Sequence, residues 1–395
     1  MMEQQSPQRI DYGIIFPVLT LCIIGIVFLY STTVVIQGES MAMTLRQLIW
    51  YGVGISLAAL MLLFDSKLLW RMTPYVYWGS IALLIGAIFI YDRDLAAVAG
   101  ARRWVTIPGI NMTFQVTEFV KIPFILQLSR IVTKHNNDFS KRNNLSDFRL
   151  LGKIALYTVI PLLLILNQPD LGTALVFVAV AVSITLMSGI RWRILVPLFG
   201  VTLLVAVLFV IMVMYNRDFL QNVLGFHEYQ FRRIDTWLNP TLDTSSSSYQ
   251  ITQTFKAIGS GGLFGKGFGV SEVYVPVRES DMIMSTIAEN FGFVGASAVI
   301  FTYFLLVYNM IKVVYDTRNE FYAYIATGVI TMIVFHVFEN IGMNIGLLPL
   351  TGIPLPFISQ GGSALIGNMM GVGLLMSMRF NHQSYFYSGS LRGRR

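Results

Sequence analysis

Repeated apolar runs, each long enough to cross a lipid bilayer, most restrict the fold of this sequence. A hydrocarbon core of about 30 Å needs about 20 consecutive apolar residues in a helix. Ten runs of about this length lie at residues 14–31, 46–64, 74–91, 114–133, 151–167, 171–189, 194–214, 282–312, 321–345 and 361–379. They predict an all-α polytopic membrane protein of about ten transmembrane helices.

The composition excludes a water-soluble protein. Only 12% of the residues are charged, whereas a soluble domain carries about 25%. We therefore treat residues 1–395 as a single transmembrane domain. The polar start of the chain, with no small-residue cleavage site after its first apolar run, argues against a removed signal peptide. The chain has one cysteine, Cys22, so it has no intramolecular disulfide.

The basic residues predict the orientation of the chain. Lys and Arg collect in alternate connections, which is typical of cytoplasmic loops. They include Lys67, Arg71, Arg130, Lys134, Lys141, Arg142, Arg149, Arg191, Arg193, Lys312 and Arg318, and the tail adds Arg379, Arg392, Arg394 and Arg395. Both termini, residues 1–13 and the basic tail 380–395, are expected in the cytoplasm. This bias explains the net charge of +7 without nucleic acid as a partner.

The opposite face receives the longer polar segments. It carries residues 92–113, the turn 167–170, the loop 346–361 and, between helices 7 and 8, a long extracellular loop at 215–281. Loops of this length are usually functional or disordered. The amphipathic and aromatic content of this one predicts helix on the membrane surface, with flexibility at the Ser-rich stretch 244–248.

Asp281 is the first candidate for chemistry, because it stands where the long loop meets the eighth apolar run. One interpretation is an N-terminal helix cap, for which Ser280 and Asp281 are suitable residue types. The other is a general base at the water-exposed rim of the bundle, able to accept a proton from a substrate hydroxyl.

Several ionisable residues fall inside or beside apolar runs, where they are costly and usually paired or functional. Glu118 and Lys121 are three residues apart and therefore share one helix face. A neutralising structural pair and a substrate contact both fit this spacing. The same two interpretations apply to Asp170, Glu289, His336 and Glu339.

Arg102 and Arg103 are adjacent arginines on the face that should be poor in positive charge. Lipid headgroup contact is one explanation, with Trp104 in the interfacial aromatic belt. Recognition of a phosphate or diphosphate is the other, since guanidinium geometry matches these anions.

The glycine-rich stretch 259–267 is not a nucleotide-binding loop. The P-loop pattern needs Gly at Ser260 and Ser or Thr at Gly267, and the predicted topology places the stretch outside the cell. A tight re-entrant turn or close approach to an extended substrate is the better interpretation. The four histidines are scattered, without metal-ligand spacing.

Read in order, these segments resemble the SEDS family of bacterial shape, elongation, division and sporulation proteins, and its elongation members most. The resemblance rests on residues 100–104, on Phe114 and Gln115 with Glu118 and Lys121, and on 168–173, 257–267 and 340–362. The chain departs from the family pattern at Val116, Thr117, Ser280, Asn290 and Gln360. Asn290 removes a second carboxylate beside Glu289.

The resemblance implies a peptidoglycan glycosyltransferase of the bacterial plasma membrane that polymerises lipid II and releases undecaprenyl diphosphate. It implies Asp281 as the general base and Arg102, Arg103 and Lys121 as groups that neutralise the diphosphate, with or without a divalent cation such as Mg²⁺ or Mn²⁺. Further substrate-binding positions are Glu118, Asp170, Lys266 and Glu289. The implied partners are a class B penicillin-binding transpeptidase and other membrane proteins of the elongation complex.

Two other classes of function fit a polytopic bundle. A transporter or lipid II flippase would also carry charged residues inside the bundle, but at matching depths on both sides. A noncatalytic scaffold of the wall-synthesis complex would need none of the chemistry. The clustering of polar residues on one face favours the enzyme.

Overall fold

The structure is a computed structural model that describes residues 10–94, 102–107, 112–139, 142–215, 217, 221, 228–240, 246–317 and 319–392. Within these ranges the helices are α1 (Tyr12–Tyr30), α2 (Ala42–Met61), α3 (Ser66–Phe89), α4 (Val116–Asp138), α5 (Asn144–Leu166), α6 (Leu171–Met187), α7 (Trp192–Tyr215), α8 (Glu228–Leu238), α9 (Ser246–Ser260), α10 (Ile283–Thr317), α11 (Glu320–Asn344) and α12 (Gly362–Arg392). All except α8 and α9 coincide with predicted spans. The all-α polytopic fold is confirmed.

Short polar side chains begin many of these helices. Asp11, Asp65, Asn143, Asp170 and Asn319 each accept a hydrogen bond from a backbone N–H in the first turn of the helix that follows. Such caps satisfy N–H groups that the helix itself leaves unpaired. Polar side chains thus mark where these five helices start.

Helices α4 and α11 form the centre of the bundle. Helix α4 packs against α3, α5, α11 and α12, and most of its side chains are buried. Helix α7 is peripheral, because only Leu195 and Val213 of its described side chains are buried. The exposed apolar surface of α7 is suited to lipid rather than to water.

The end of the bundle predicted to be extracellular, called the outer end below, contains a small departure from the all-α prediction. Strands β1 (Trp104–Ile107) and β2 (Met112–Gln115) form an antiparallel hairpin with Trp104 opposite Gln115. Strand β2 runs directly into α4. The hairpin therefore brings Arg103 to the outer end of the central helix.

The long loop 215–281 contains helices α8 and α9, as its amphipathic content predicted. The prediction that residues 244–248 are flexible is wrong for Ser246–Ser248, because these residues form the first turn of α9. Residues 244 and 245 lie outside the described residues. At the other end, α12 continues to Arg392 through most of the predicted tail 380–395. The side of the membrane on which each terminus lies stays a prediction.

Candidate active site

The backbone at Asp281 is fixed by two asparagines of α11. Asn340 Nδ2 donates to the Asp281 carbonyl oxygen at 2.8 Å, and Asn344 Nδ2 donates to the same oxygen at 3.1 Å. Asn340 Nδ2 also donates to the carbonyl of Ile353 at 2.8 Å. This arrangement ties the start of α10 and the loop after α11 to one point on α11.

The Asp281 carboxylate faces the loop that follows α11. Ser280 Oγ donates to Asp281 Oδ1 at 2.8 Å, and a Cβ added to Gly352 would lie 3.2 Å from Oδ2. Gly352 has φ +75°, a conformation that favours glycine. None of the hydrogen bonds described at the start of α10 runs from an N–H to this carboxylate, which does not support the helix-cap interpretation.

Burial raises the pKa of Asp281, and the Ser280 hydroxyl and the Arg103 guanidinium partly offset that rise. Desolvation disfavours the charged form of a carboxyl group. A carboxylate with a raised pKa holds an accepted proton more strongly, which suits a general base. Arg103, the residue before β1, is thus within electrostatic range of Asp281, although no ion pair joins them among the described residues.

Arg103 and Asp170 form an ion pair at the outer end, with Nη1 3.0 Å from Oδ1. Asp170 is buried and also accepts from Gln115 Nε2 at 2.7 Å and from Thr173 Oγ1 at 2.8 Å. Its oxygens are thus used by the protein itself. The Arg103 side chain is 21% exposed, so it remains accessible to an anion.

Arg102 does not join this cluster. It is exposed, and its guanidinium carbon lies 5.5 Å from the ring centre of Tyr91. This distance is within the range of a cation–π contact. The two adjacent arginines therefore have different surroundings, with Arg103 paired with Asp170 and Arg102 at the surface.

Glu118 and Lys121 form the pair that their spacing predicted. Lys121 Nζ lies 2.6 Å from Glu118 Oε2 and 2.9 Å from His336 Nε2, and all three side chains are buried. His336 Nδ1 lies 2.5 Å from the carbonyl oxygen of Met332, an acceptor, so Nδ1 carries the hydrogen and Nε2 accepts from Lys121. Helix α11 thereby helps to hold the ammonium group of α4.

Glu339 lies between these two clusters on α11. It is buried, and within the described residues neither carboxylate oxygen has a hydrogen bond. It is within electrostatic range of both Asp170 and Lys121. Two ion-paired clusters, Arg103–Asp170 and Glu118–Lys121–His336, therefore lie within electrostatic range of Glu339, and Arg103 is also within range of Asp281.

Lys266 and Glu289 belong to a second cluster, built around the start of α10. Glu289 Oε2 lies 2.8 Å from Arg278 Nη2, and Glu289 Oε1 accepts from the backbone N–H of Glu272 at 2.9 Å. Lys266 Nζ lies 2.5 Å from Glu272 Oε2 and 3.9 Å from Glu289 Oε1. Both predicted substrate-binding residues thus have protein partners, and their contact with substrate stays a prediction.

The glycine-rich stretch lies against α10. Lys266 N–H and Gly267 N–H donate to the carbonyls of Glu289 and Asn290, both at 3.0 Å. A Cβ added to Gly261 would lie 2.0 Å from the carbonyl oxygen of Ala288. The close approach that the glycines allow is therefore to the backbone of α10, so the structure gives them a role that needs no extended substrate.

Among the described residues, no group of three or more His, Cys, Asp or Glu side chains could hold a metal ion. The polar region between Asp281 and Lys121 is instead a mixture of acidic, basic and amide side chains. An anion can be bound there by Arg103.

Sequence reasoning missed the residues that support the site. Asn340 and Asn344 are four residues apart, which places both on one face of α11 facing Asp281. Arg278 was not singled out, although it lies three residues before Asp281 and is 2% exposed. The spacing of the asparagines and the nearness of Arg278 to Asp281 were the available signals.

The fold and the site define a polytopic membrane protein with an aspartate on a fixed backbone and clusters of ionisable side chains at the outer end of its bundle. The chain belongs to the FtsW, RodA and SpoVE family, described as cell cycle proteins, because the family profile matches residues 12–384. The resemblance to the SEDS proteins is confirmed.

Curated relatives match over nearly the whole chain. The peptidoglycan glycosyltransferase RodA of Treponema pallidum is 29% identical over 95% of this chain and 99% of its own length. The peptidoglycan glycosyltransferase MrdB of Escherichia coli is 31% identical over 92% of each chain.

Solved structures share the fold. A chain of a peptidoglycan synthase complex, described as coordinating polymerization and crosslinking, matches with a TM-score of 0.75 and 25% identity over 95% of this chain and 98% of that one. The rod shape determining protein RodA of Thermus thermophilus matches with a TM-score of 0.66 and 26% identity over 94% and 97%.

Proposed function

We propose that this protein is a peptidoglycan glycosyltransferase that polymerises lipid II during cell-wall elongation. The observation that carries the proposal is the full-length similarity to peptidoglycan glycosyltransferases, in a fold whose outer end fixes the backbone of Asp281 within electrostatic range of an arginine. Lipid II is presented in the outer leaflet, so a polymerase needs its acid–base groups at that end.

In the proposed reaction, Asp281 accepts the proton from the 4-hydroxyl of one lipid-linked disaccharide. The hydroxyl oxygen then attacks the anomeric carbon of the growing chain, a new glycosidic bond forms, and the bond to undecaprenyl diphosphate breaks. General-base assistance of this kind contributes about 10²- to 10⁴-fold in rate. The raised pKa of Asp281 supports this role.

Positive charge is needed where the diphosphate leaves. Arg103 is the best-placed cation, because it is partly exposed and within electrostatic range of Asp281. A guanidinium group aimed at developing negative charge stabilises the transition state. Arg102 would contact the lipid-linked phosphates from the surface. Glu118, Lys121 and Asp170 would shape the polar region in which the sugar or diphosphate binds.

The proposed partner is a class B penicillin-binding transpeptidase, together with other membrane proteins of the elongation complex. The fold shared with a chain of a peptidoglycan synthase complex supports this assignment. In this arrangement the chain spans the plasma membrane with both termini in the cytoplasm, which places Asp281 and the transpeptidase domain on the same side.

One experiment tests the enzyme against the flippase and the scaffold. Purified protein, alone and with its transpeptidase partner, is given labelled lipid II in detergent, with moenomycin present to silence polymerases of the other class. Polymer from the wild type and none from Asp281→Ala is expected. Equal polymer from both would refute the base assignment. In a parallel assay with the protein in vesicles, transfer of labelled lipid II across the membrane without polymerisation would favour the flippase. Neither activity would favour the scaffold.

A further inference from the structure

We propose that the loop at residues 261–270, called the Gly-rich loop below, is a re-entrant element that lies in the outer leaflet of the membrane and presents apolar side chains to lipid. The inference concerns where this loop sits and does not depend on the proposed chemistry.

The exposed surface of the Gly-rich loop is apolar. Leu263, Phe264 and Phe268 are 64%, 79% and 47% exposed, and Val270 is also exposed. The loop has one charged residue, Lys266, whose side chain is 15% exposed and turned towards Glu272 and Glu289. A loop in water normally has the opposite arrangement, with charges outward and large apolar side chains covered.

Several backbone groups of the loop are paired with helix α10. Irregular backbone is tolerated at membrane depth only where its polar groups find partners in the protein. Helix α10 breaks at Gly292, which has φ 64° and ψ −157°. Across the break, the N–H of Phe293 donates to the carbonyl oxygen of Gly262 at 2.9 Å, and the N–H of Val294 donates to that of Leu263 at 3.1 Å. These bonds add to those from Lys266 and Gly267 to α10.

The loop continues the lipid-facing surface of α10. Phe293 beside the loop is 67% exposed, and Phe301 and Phe304 further along the helix are 59% and 62% exposed. Helix α10 has 35 residues, many more than the about 20 that cross the hydrocarbon core. Counting about 20 residues back from Lys312, at its basic end, places the outer boundary near Gly292. The Gly-rich loop therefore lies at the level where aromatic side chains meet lipid headgroups and acyl chains.

Lipid fits this surface better than another protein. A protein interface has a polar rim around its apolar centre, whereas here the one charge is folded inward and the exposed apolar surface runs on into that of a transmembrane helix. Attachment to the membrane also has a structural consequence, because the loop is bonded to Glu289 and Asn290, two turns after Asp281. It would fix the depth of this part of α10 relative to the membrane surface.

Nitroxide accessibility in lipid nanodiscs tests this placement. Cys22 is the one cysteine of the chain, so Cys22→Ala gives a background in which Phe264→Cys can be labelled alone in the full-length protein. Leu263→Cys is a second reporter on the loop. Phe301→Cys, on the exposed side of α10, is the lipid control, and Asn137→Cys, exposed at the basic end of α4, is the water control.

The expected result is that labels at 264 and 263 collide with oxygen severalfold more often than with a water-soluble nickel chelate. The label at 301 should behave in the same way, and the label at 137 should show the reverse preference. Nickel access at 264 and 263 equal to that at 137 would overturn the proposal. Protection from both reagents would also overturn the proposal, because it would mean that protein covers the loop. Repeating the measurement with one copy per nanodisc would then show whether that protein is a second copy of this chain.

Discussion

Arg278 and Glu289 form an ion pair sealed from water, with Nη2 2.8 Å from Oε2 and side chains 2% and 0% exposed. Arg278 also donates to the Ser271 hydroxyl and to the carbonyl of Val273, and Glu289 also accepts from the backbone of Glu272 and Val273. The pair thus binds the segment before Asp281 to the second turn of α10. It fixes the path by which the chain enters this helix.

Arg278→Met is expected to destabilise the protein by up to about 3–5 kcal/mol, because it removes the nearer cation and leaves the buried Glu289 carboxylate with only Lys266, 3.9 Å away. Arg278→Met combined with Glu289→Gln removes that charge and keeps an acceptor for the backbone N–H groups. The double variant should recover much of the thermal stability, measured by unfolding in detergent, while its kcat for lipid II polymerisation stays low. Recovery of kcat together with stability would mean that the pair does not position Asp281.

Asp281→Asn should abolish most polymerisation, by about 10²- to 10⁴-fold in kcat, since an amide cannot accept the proton. The side chain is nearly isosteric, so the backbone bonds from Asn340 and Asn344 remain. Initial rates with labelled lipid II, compared at equal amounts of folded protein, measure the effect. Wild-type rates would exclude Asp281 as the base.

The raised pKa of Asp281 makes both activity and stability depend on pH. The base must be ionised, so the wild-type kcat/KM should rise with pH through a value above the ordinary aspartate pKa of about 3.9. The folded protein holds this proton more strongly than the unfolded chain, so the contribution to stability is full below the unfolded pKa and is lost as the pH rises through the folded one. Asp281→Asn should therefore melt higher than wild type at neutral pH, with a difference that shrinks on acidification. A constant difference would argue against the raised pKa.

The sequence predicted the parts of this molecule that depend on local spacing. Ten of the helices coincide with the apolar runs, six of them long and apolar enough to cross a membrane, and the Glu118–Lys121 pair follows from helical geometry. Contacts between distant segments could not be predicted, as with Arg103 and Asp170, which are 67 residues apart. The burial of Arg278 could not be predicted either, because an arginine in an outer loop is usually solvated.

The glycine-rich stretch shows the same limit for backbone contacts. Its composition predicted a tight turn or a close approach, but one sequence does not reveal which surface is approached. The answer depends on the break of α10 at Gly292, which exposes backbone groups that the Gly-rich loop can pair with.

Glu118→Gln and Lys121→Ala should each abolish polymerisation while membrane-inserted protein is still recovered. Glu118→Gln removes the negative charge beside Lys121, and Lys121→Ala leaves Glu118 and His336 without their shared partner. Rearrangement of the polar side chains around this cluster should follow. Polymer yield and the amount of folded protein in the membrane fraction are measured together. Loss of folded protein with full specific activity in the remainder would indicate a purely structural pair.

Gly261→Ala and Gly259→Ala form a matched pair that tests the docking of the Gly-rich loop. An added Cβ at Gly261 would overlap the carbonyl oxygen of Ala288, whereas nothing lies within 4 Å of a Cβ at Gly259, in the last turn of α9. Overpacking at Gly261 should cost about 1–3 kcal/mol, and alanine at Gly259 should add about 0.5–1 kcal/mol because glycine is unfavourable within a helix. Thermal unfolding in detergent should therefore shift in opposite directions for the two variants. If Gly261→Ala melts at the same temperature as Gly259→Ala, the loop does not lie against α10 as closely as the structure has it.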